Sequence, residues 1–175
     1  IYTSSDSGAT WTAQTSAGSR SWYSITSSSD GTKLAAVVLG NYIYTSSDSG
    51  ATWTAQTGAG SRKWYSITSS SDGTKLAAGV YGGYIYTSSD SGATWTEQTS
   101  PGSRSWYSIT SSSDGTKLAA VVNGGYIYTS SDSGATWTTQ TSAGLRSWHV
   151  ITSSSDGTKL AAVATGSYIY TSSVT

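Results

Sequence analysis

The sequence repeats itself every 42 residues: Ile-Tyr-Thr-Ser-Ser-Asp-Ser-Gly-Ala-Thr-Trp begins at Ile1, Ile43, Ile85 and Ile127, and its first five residues return at Ile169. A period of about 40 to 50 residues marks one supersecondary unit stacked on copies of itself, because a single unit cannot bury its own apolar faces. Within one period the pattern has strand length. Trp22 to Ser27 alternates large apolar with small polar residues, and Ser29-Asp30-Gly31-Thr32 supplies turn chemistry. Lys33 to Val38 is a nearly continuous apolar run, as expected of a strand covered on both faces. Tyr42 to Ser46 alternates as a third strand, Asp48-Ser49-Gly50 turns the chain, and Ala51 to Gln56 makes a fourth. Four strands of about six residues and four turns of about four fill the period and leave no room for a helix.

Tandem four-stranded antiparallel units predict an all-β chain folded as a propeller. Its blades are expected at 22–57, 64–99 and 106–141, with a split blade from 148–173 plus 1–14. The core has an unusual inventory, with eight Trp and thirteen Tyr but no Phe or Met, so aromatics must be wedged among Ser, Thr, Gly and Ala. Nine basic and nine acidic residues cancel, and no basic stripe stands out, which argues against nucleic acid as a partner. The longest apolar run, Leu34 to Gly40, falls far short of the roughly 20 residues of a membrane-spanning helix. Without cysteine there is no disulfide, thiolate metal site or thiol catalysis. The opening at Ile1, with no signal-peptide pattern, reads as a processed, excised or engineered piece.

Ser4, Asp6, Gly8, Thr10 and Trp11 fit the pattern Ser-x-Asp-x-Gly-x-Thr-Trp, which recurs at Ser46 to Trp53, Ser88 to Trp95 and Ser130 to Trp137. The chain thereby resembles the Asp-box, or BNR, β-propellers, a group that includes sialidases, sortilin-type receptor domains and photosystem II assembly factors. The resemblance implies that the box is a structural turn between the third and fourth strands of a blade. The residues suit that role: the carboxylates of Asp6, Asp48, Asp90 and Asp132 can accept hydrogen bonds from turn amides. Gly8, Gly50, Gly92 and Gly134 tolerate positive φ, and Trp11, Trp53, Trp95 and Trp137 can plug a seam. These residues are expected to be staples, with no catalytic or metal role.

Across the four periods 31 of 42 positions are identical, and the variable ones fall in two windows, Ala13 to Ser24 and Val37 to Asn41 with their equivalents. On a blade both windows map to one rim, the first as the link to the next blade and the second as the hairpin between strands two and three. Leu39, Tyr81, Asn123 and Thr165 are the most divergent set and mark candidate ligand-contacting tips. Arg20, Arg62, Arg104 and Arg146 share one repeat position before the inner strand. They either ring the channel mouth and attract an oxyanion or stack on neighbouring aromatic rings and brace the blades. Trp22, Trp64, Trp106 and Trp148 either line a sugar groove or pack the seams. His149, the single histidine, replaces a Tyr and has no partner for a metal site.

Enzyme chemistry is disfavoured by elimination. All eight Asp belong to the repeat, leaving Glu97 as the lone singular acid, whereas glycoside hydrolysis generally needs two carboxyl groups about the scissile bond. The expectation is a non-enzymatic scaffold or binding module without cofactor or metal, taking a glycan or acidic polymer at the variable rim. A sialidase-like hydrolase is the rival, and an engineered or recently amplified ring without ligand is a third reading. The chain starts with strands three and four of a blade and finishes with strands one to three. Either Gly8 to Gln14 completes the last blade of its own chain, giving a four-bladed monomer, or two chains self-associate into an eight-bladed ring, the reading favoured here.

Overall fold

A computed structural model of the chain describes residues 1–173 and is all-β apart from short 3₁₀ turns. The strands are β1 (Tyr2–Thr3), β2 (Thr12–Ala13), β3 (Trp22–Ser27), β4 (Leu34–Asn41), β5 (Ile43–Ser46), β6 (Thr54–Gln56), β7 (Arg62–Ser69), β8 (Leu76–Gly83) and β9 (Ile85–Ser88). They continue as β10 (Thr96–Gln98), β11 (Arg104–Ser111), β12 (Leu118–Gly125), β13 (Ile127–Ser130), β14 (Thr138–Gln140), β15 (Arg146–Ser153), β16 (Lys159–Ala164) and β17 (Ile169–Ser173). β3 to β6 pair in antiparallel order as one four-stranded unit, and β7 to β10 and β11 to β14 repeat it. β15 to β17 make a three-stranded unit, while β1 and β2 pair only with each other. The closed four-bladed monomer is therefore not the arrangement of the described residues.

The second strand of each unit explains the apolar run read from the sequence. Ala35, Ala36, Val37 and Val38 are all buried, because a neighbouring layer lies on each face. Between successive units the core forms three seams of one design. In the first, Trp64, Ile67 and Tyr86 of one unit meet Ala35, Val37 and Ile43 of the unit before it, and Trp106 and Trp148 fill the next two. Small residues are needed here because the sheets approach closely: at one rim the Ser29, Ser71 and Ser113 N–H groups donate to the Ser71, Ser113 and Ser155 carbonyls at 2.7 Å. A Cβ on Gly73 would lie 2.9 Å from Lys33 Cβ of the preceding unit, so this turn has room only for glycine.

At the other rim the structure adds pairing between units to the hairpins read from the sequence. Leu39, Tyr81 and Asn123 lie in the hairpin bends between the second and third strands, beyond the last pairs Val37–Ile43, Gly79–Ile85 and Val121–Ile127, and there they also pair with the next unit, Leu39 opposite Lys63, Tyr81 opposite Ser105 and Asn123 opposite Ser147. The neighbouring strand satisfies backbone groups that a free hairpin would turn to water. Among the described residues β16 pairs only with β15 and β17 and ends at Ala164, and Thr165 sits in a turn.

The link to the next unit also contains 3₁₀ turns at Thr15–Ala17, Thr57–Ala59 and Thr141–Ala143. The third link carries Pro101 where the others have Ala, and without that N–H only the Gly102 to Thr99 hydrogen bond of the turn remains. The indole N–H groups of Trp22, Trp64 and Trp148 donate to the carbonyls of Gly18, Gly60 and Gly144 at 3.3 Å. Trp106 Nε1, downstream of Pro101, is buried without a partner. Pro101→Ala is expected to restore the turn and stabilise the chain by about 1 kcal/mol, since relief of an unsatisfied buried donor outweighs the lost rigidity of proline. Urea unfolding of the two proteins checks this, a lower midpoint for the variant being the contrary result.

Candidate functional site

Each complete octapeptide turn folds around its carboxylate. In the second copy Asp48 Oδ1 accepts from the Thr52 amide at 2.9 Å and from the Ser46 hydroxyl at 2.8 Å, and Oδ2 accepts from the Thr52 hydroxyl at 2.6 Å. Ser46 Oγ accepts in turn from the Gly50 amide at 2.9 Å, and the Trp53 indole donates to the Gly50 carbonyl at 2.8 Å. Ser49 and Gly50 hold φ of 58° and 92°, so the turn is a left-handed bend wrapped on a carboxylate. The hydrogen bonds from Thr52 are the main cause that holds the Asp48 carboxyl down at about 2, and Asp6, Asp90 and Asp132 match it. In the other turn, Asp30 accepts from Ser28 and Thr32 and is likewise lowered to about 2, chiefly by Ser28, with Asp72, Asp114 and Asp156 lowered in the same way. The Ser49 amide donates to the Thr32 carbonyl at 2.9 Å, so the two turns are joined at one end of the unit. Carboxylates held this far ionised are poorly suited to be general acids near neutral pH.

The four Arg lie over aromatic rings. The guanidinium carbons of Arg20, Arg62, Arg104 and Arg146 sit 4.7, 4.6, 5.0 and 4.6 Å from the ring centroids of Tyr44, Tyr86, Tyr128 and Tyr170. Each Nε also donates to a carbonyl three residues back, as Arg62 does to Ala59 at 3.0 Å. The same Tyr rings meet Trp22, Trp64, Trp106 and Trp148 edge to face at 5.0 to 5.3 Å, so Arg, Tyr and Trp form one stack per unit. Glu97 lies on an outer strand and accepts a hydrogen bond from the Tyr86 phenol, whose pKa is pushed up to about 12 by burial and by that carboxylate. Among the described residues no group of three or more His, Cys, Asp or Glu comes together.

On the innermost strands the variable rim carries a feature the sequence reading passed over. Tyr23, Tyr65, Tyr107 and His149, at one repeat position, follow one another across the units as tilted ring pairs with centroid separations of 4.2, 5.1 and 5.7 Å. Tyr81 joins them, 5.2 Å from Tyr65 and 6.0 Å from Tyr107. Tyr65 is raised above the usual phenol range, first by the neighbouring Tyr23 phenol, and Tyr107 is raised first by burial. The result is a continuous aromatic strip that crosses four units, with Tyr23, Tyr81 and His149 exposed.

No protein-family model matches the sequence, and no curated protein matches it either. Solved structures do. A structure of YCF48 bound to D1 peptide aligns with a TM-score of 0.66 at 19% identity over 87% of this chain and 49% of that one. The GH74 xyloglucanase from Xanthomonas campestris aligns with a TM-score of 0.72 at 16% identity over 97% of this chain and 33% of that one. The β-propeller domain of Cps50 (Swd1) from Myceliophteria thermophila gives a TM-score of 0.67 at 15% identity over 88% of this chain and 54% of that domain. The fold is that of a β-propeller. The chain thus spans half or less of the YCF48 and xyloglucanase chains, and about half of the Swd1 propeller domain.

In propeller terms the aromatic strip lies on the inner strands of the blades, at the rim where blades are stitched by strand pairing, and the carboxylate turns lie at the opposite rim. The chain order alone carried a signal for the strip, namely an aromatic at the same position of all four copies directly after the seam Trp. What it lacked was the distance between blades.

Proposed function

We propose that this propeller is a non-enzymatic binding module that takes a glycan chain along the aromatic strip of Tyr23, Tyr65, Tyr107 and His149. The observation that carries the reading is the strip itself: aromatic rings on a rigid scaffold, edged with phenol hydroxyls that both donate and accept, suit a polyhydroxylated ligand with apolar faces. Stacked Arg side chains favour a neutral over an anionic ligand, because each guanidinium already lies on a Tyr ring. Leu39, Tyr81 and Asn123 flank the inner strands and vary the contacts from blade to blade. The hydrolase reading is weaker, since the Asp carboxylates are engaged at the far rim and Glu97 stands on an outer strand against Tyr86.

An oligosaccharide array followed by calorimetric titration tests the proposal. Binding is expected, and the double variant Tyr65→Ala, Tyr107→Ala is expected to weaken it at least about tenfold, the equivalent of about 1.4 kcal/mol. Absence of binding to any glycan, or full affinity in the double variant, would remove the strip from consideration. Turnover of a fluorogenic sialoside that disappears in Glu97→Gln would instead establish the hydrolase.

A further inference from the structure

We infer that two copies of this chain close one ring, each seating its N-terminal hairpin, β1 and β2 with the intervening octapeptide turn, on β16 of the other. The single chain carries the two halves of a fourth seam, both uncovered. Ile25 is 51% exposed, whereas its equivalents Ile67, Ile109 and Ile151 are 4, 5 and 4% exposed in the three formed seams. At the opposite end of the arc Val163 is 36% exposed, whereas Val37 and Val121 at the same repeat position are fully buried. In the first and third formed seams these two positions lie in one apolar cluster, Val37 with Ile67 and Val121 with Ile151, so the open faces are the two sides of an interface the chain already builds.

The hairpin is the missing piece of the other end. Gly50, Gly92 and Gly134 each sit against a Thr methyl of the preceding blade and a Leu of their own, with distances from the position of a Cβ of 3.0 and 3.1, 2.9 and 3.2, and 2.9 and 3.2 Å. Gly8 meets nothing but Trp11. The Thr and Leu that would receive a fifth such glycine are Thr129 and Leu160, and both line a cavity of about 500 Å³ between the last two blades. The corresponding cavities at the earlier seams hold about 280 and 190 Å³, because an octapeptide turn fills them. Likewise Trp53, Trp95 and Trp137 lie 6.1 to 6.4 Å from Trp22, Trp64 and Trp106, while among the described residues Trp148 has no such neighbour and Trp11 is 63% exposed. Trp11 seated beside the partner's Trp148 makes the fourth pair.

β17 does not block this exchange, because Ile169 to Ser173 repeats Ile1 to Ser5 letter for letter and gives way to β1 in the same register on β16. A second copy is the occupant because the chain's own hairpin is stacked at the other end of the arc, where Gly50 touches Thr3 and Gln14, and the Ser16 hydroxyl donates to the Ala51 carbonyl at 2.6 Å. Two arcs related by a two-fold axis then close one ring with two equal interfaces. Tyr23 then meets the partner's His149, and the aromatic strip becomes continuous around the channel.

Sedimentation equilibrium of the full 175-residue chain decides the matter. A mass of twice 18.1 kDa is expected. Ile25→Asp is expected to give the single-chain mass with an unchanged far-ultraviolet spectrum, because that side chain is already exposed in one copy, and Trp11→Ala is expected to raise the dissociation constant at least about 100-fold. A wild-type mass of 18.1 kDa, an open series of larger polymers, or a dimer that survives both substitutions would each overturn the inference.

Discussion

Trp64→Ala lowers the unfolding free energy by about 3 to 5 kcal/mol, the range for truncating a fully buried aromatic. Trp64 has no exposed surface, and it anchors a seam in which Ile43, Val37 and Ala35 of one blade meet Ile67 and Tyr86 of the next. Its removal leaves a cavity the neighbours cannot collapse into, because the blades are held apart by backbone pairing at both rims. It also removes the edge-to-face partner of Tyr86, 5.2 Å away, and so loosens the ring on which Arg62 rests. Trp95, half-buried at the outside of the same stack, is expected to cost about 1 to 2 kcal/mol when changed to Ala, by the smaller apolar area it covers. Chemical denaturation of both variants checks the order; equal losses would mean that the seam is not what holds the blades together.

Acid is the second large perturbation. Eight Asp carboxyls are held below their ordinary value of 3.8, the octapeptide ones and Asp30 at about 2. A group whose pKa is depressed in the folded state contributes stability that is complete above the unfolded value and is lost as pH falls through the folded one. Stability is therefore expected to be flat from neutral pH to about 5 and to fall steeply from about 4 to 2. Each carboxylate is exposed, and its separate contribution is small, but all eight act in one direction and each closes a turn. Thermal melts across this range, with Asp48→Asn and Asp90→Asn combined as the control, test it. The variant loses stability at neutral pH and shows a shallower acid slope; an unchanged slope would mean that the turns stand without their charges.

Much of this protein was legible in the chain because repetition multiplies weak signals. One Ser-x-Asp-x-Gly-x-Thr-Trp is a modest hint of a turn, but four in register, spaced by strand-length alternating segments, fixed the unit as a four-stranded antiparallel sheet and its stacking as a propeller. The roles of Asp48, Gly50 and Trp53 followed from local chemistry, since their partners lie within four residues. The role of the Arg position stayed open in the sequence between a ligand ring and an aromatic stack. Tyr44 and Tyr86 lie 24 residues along from Arg20 and Arg62, and only the folded blade brings them within 5 Å.

Sequence alone determined the strand order and the chemistry of the turns, because each depends on neighbours within one 42-residue period. Tertiary structure decided everything that depends on the distance between periods. It paired the hairpin residues Leu39, Tyr81 and Asn123 with the next blade, and it joined Tyr23, Tyr65, Tyr107 and His149 into one strip. It also left Ile25 and Val163 uncovered at opposite ends of the arc. The reason is the same in each case: a repeat specifies its own hydrogen bonds, whereas the angle and spacing at which copies stack are set by packing between them.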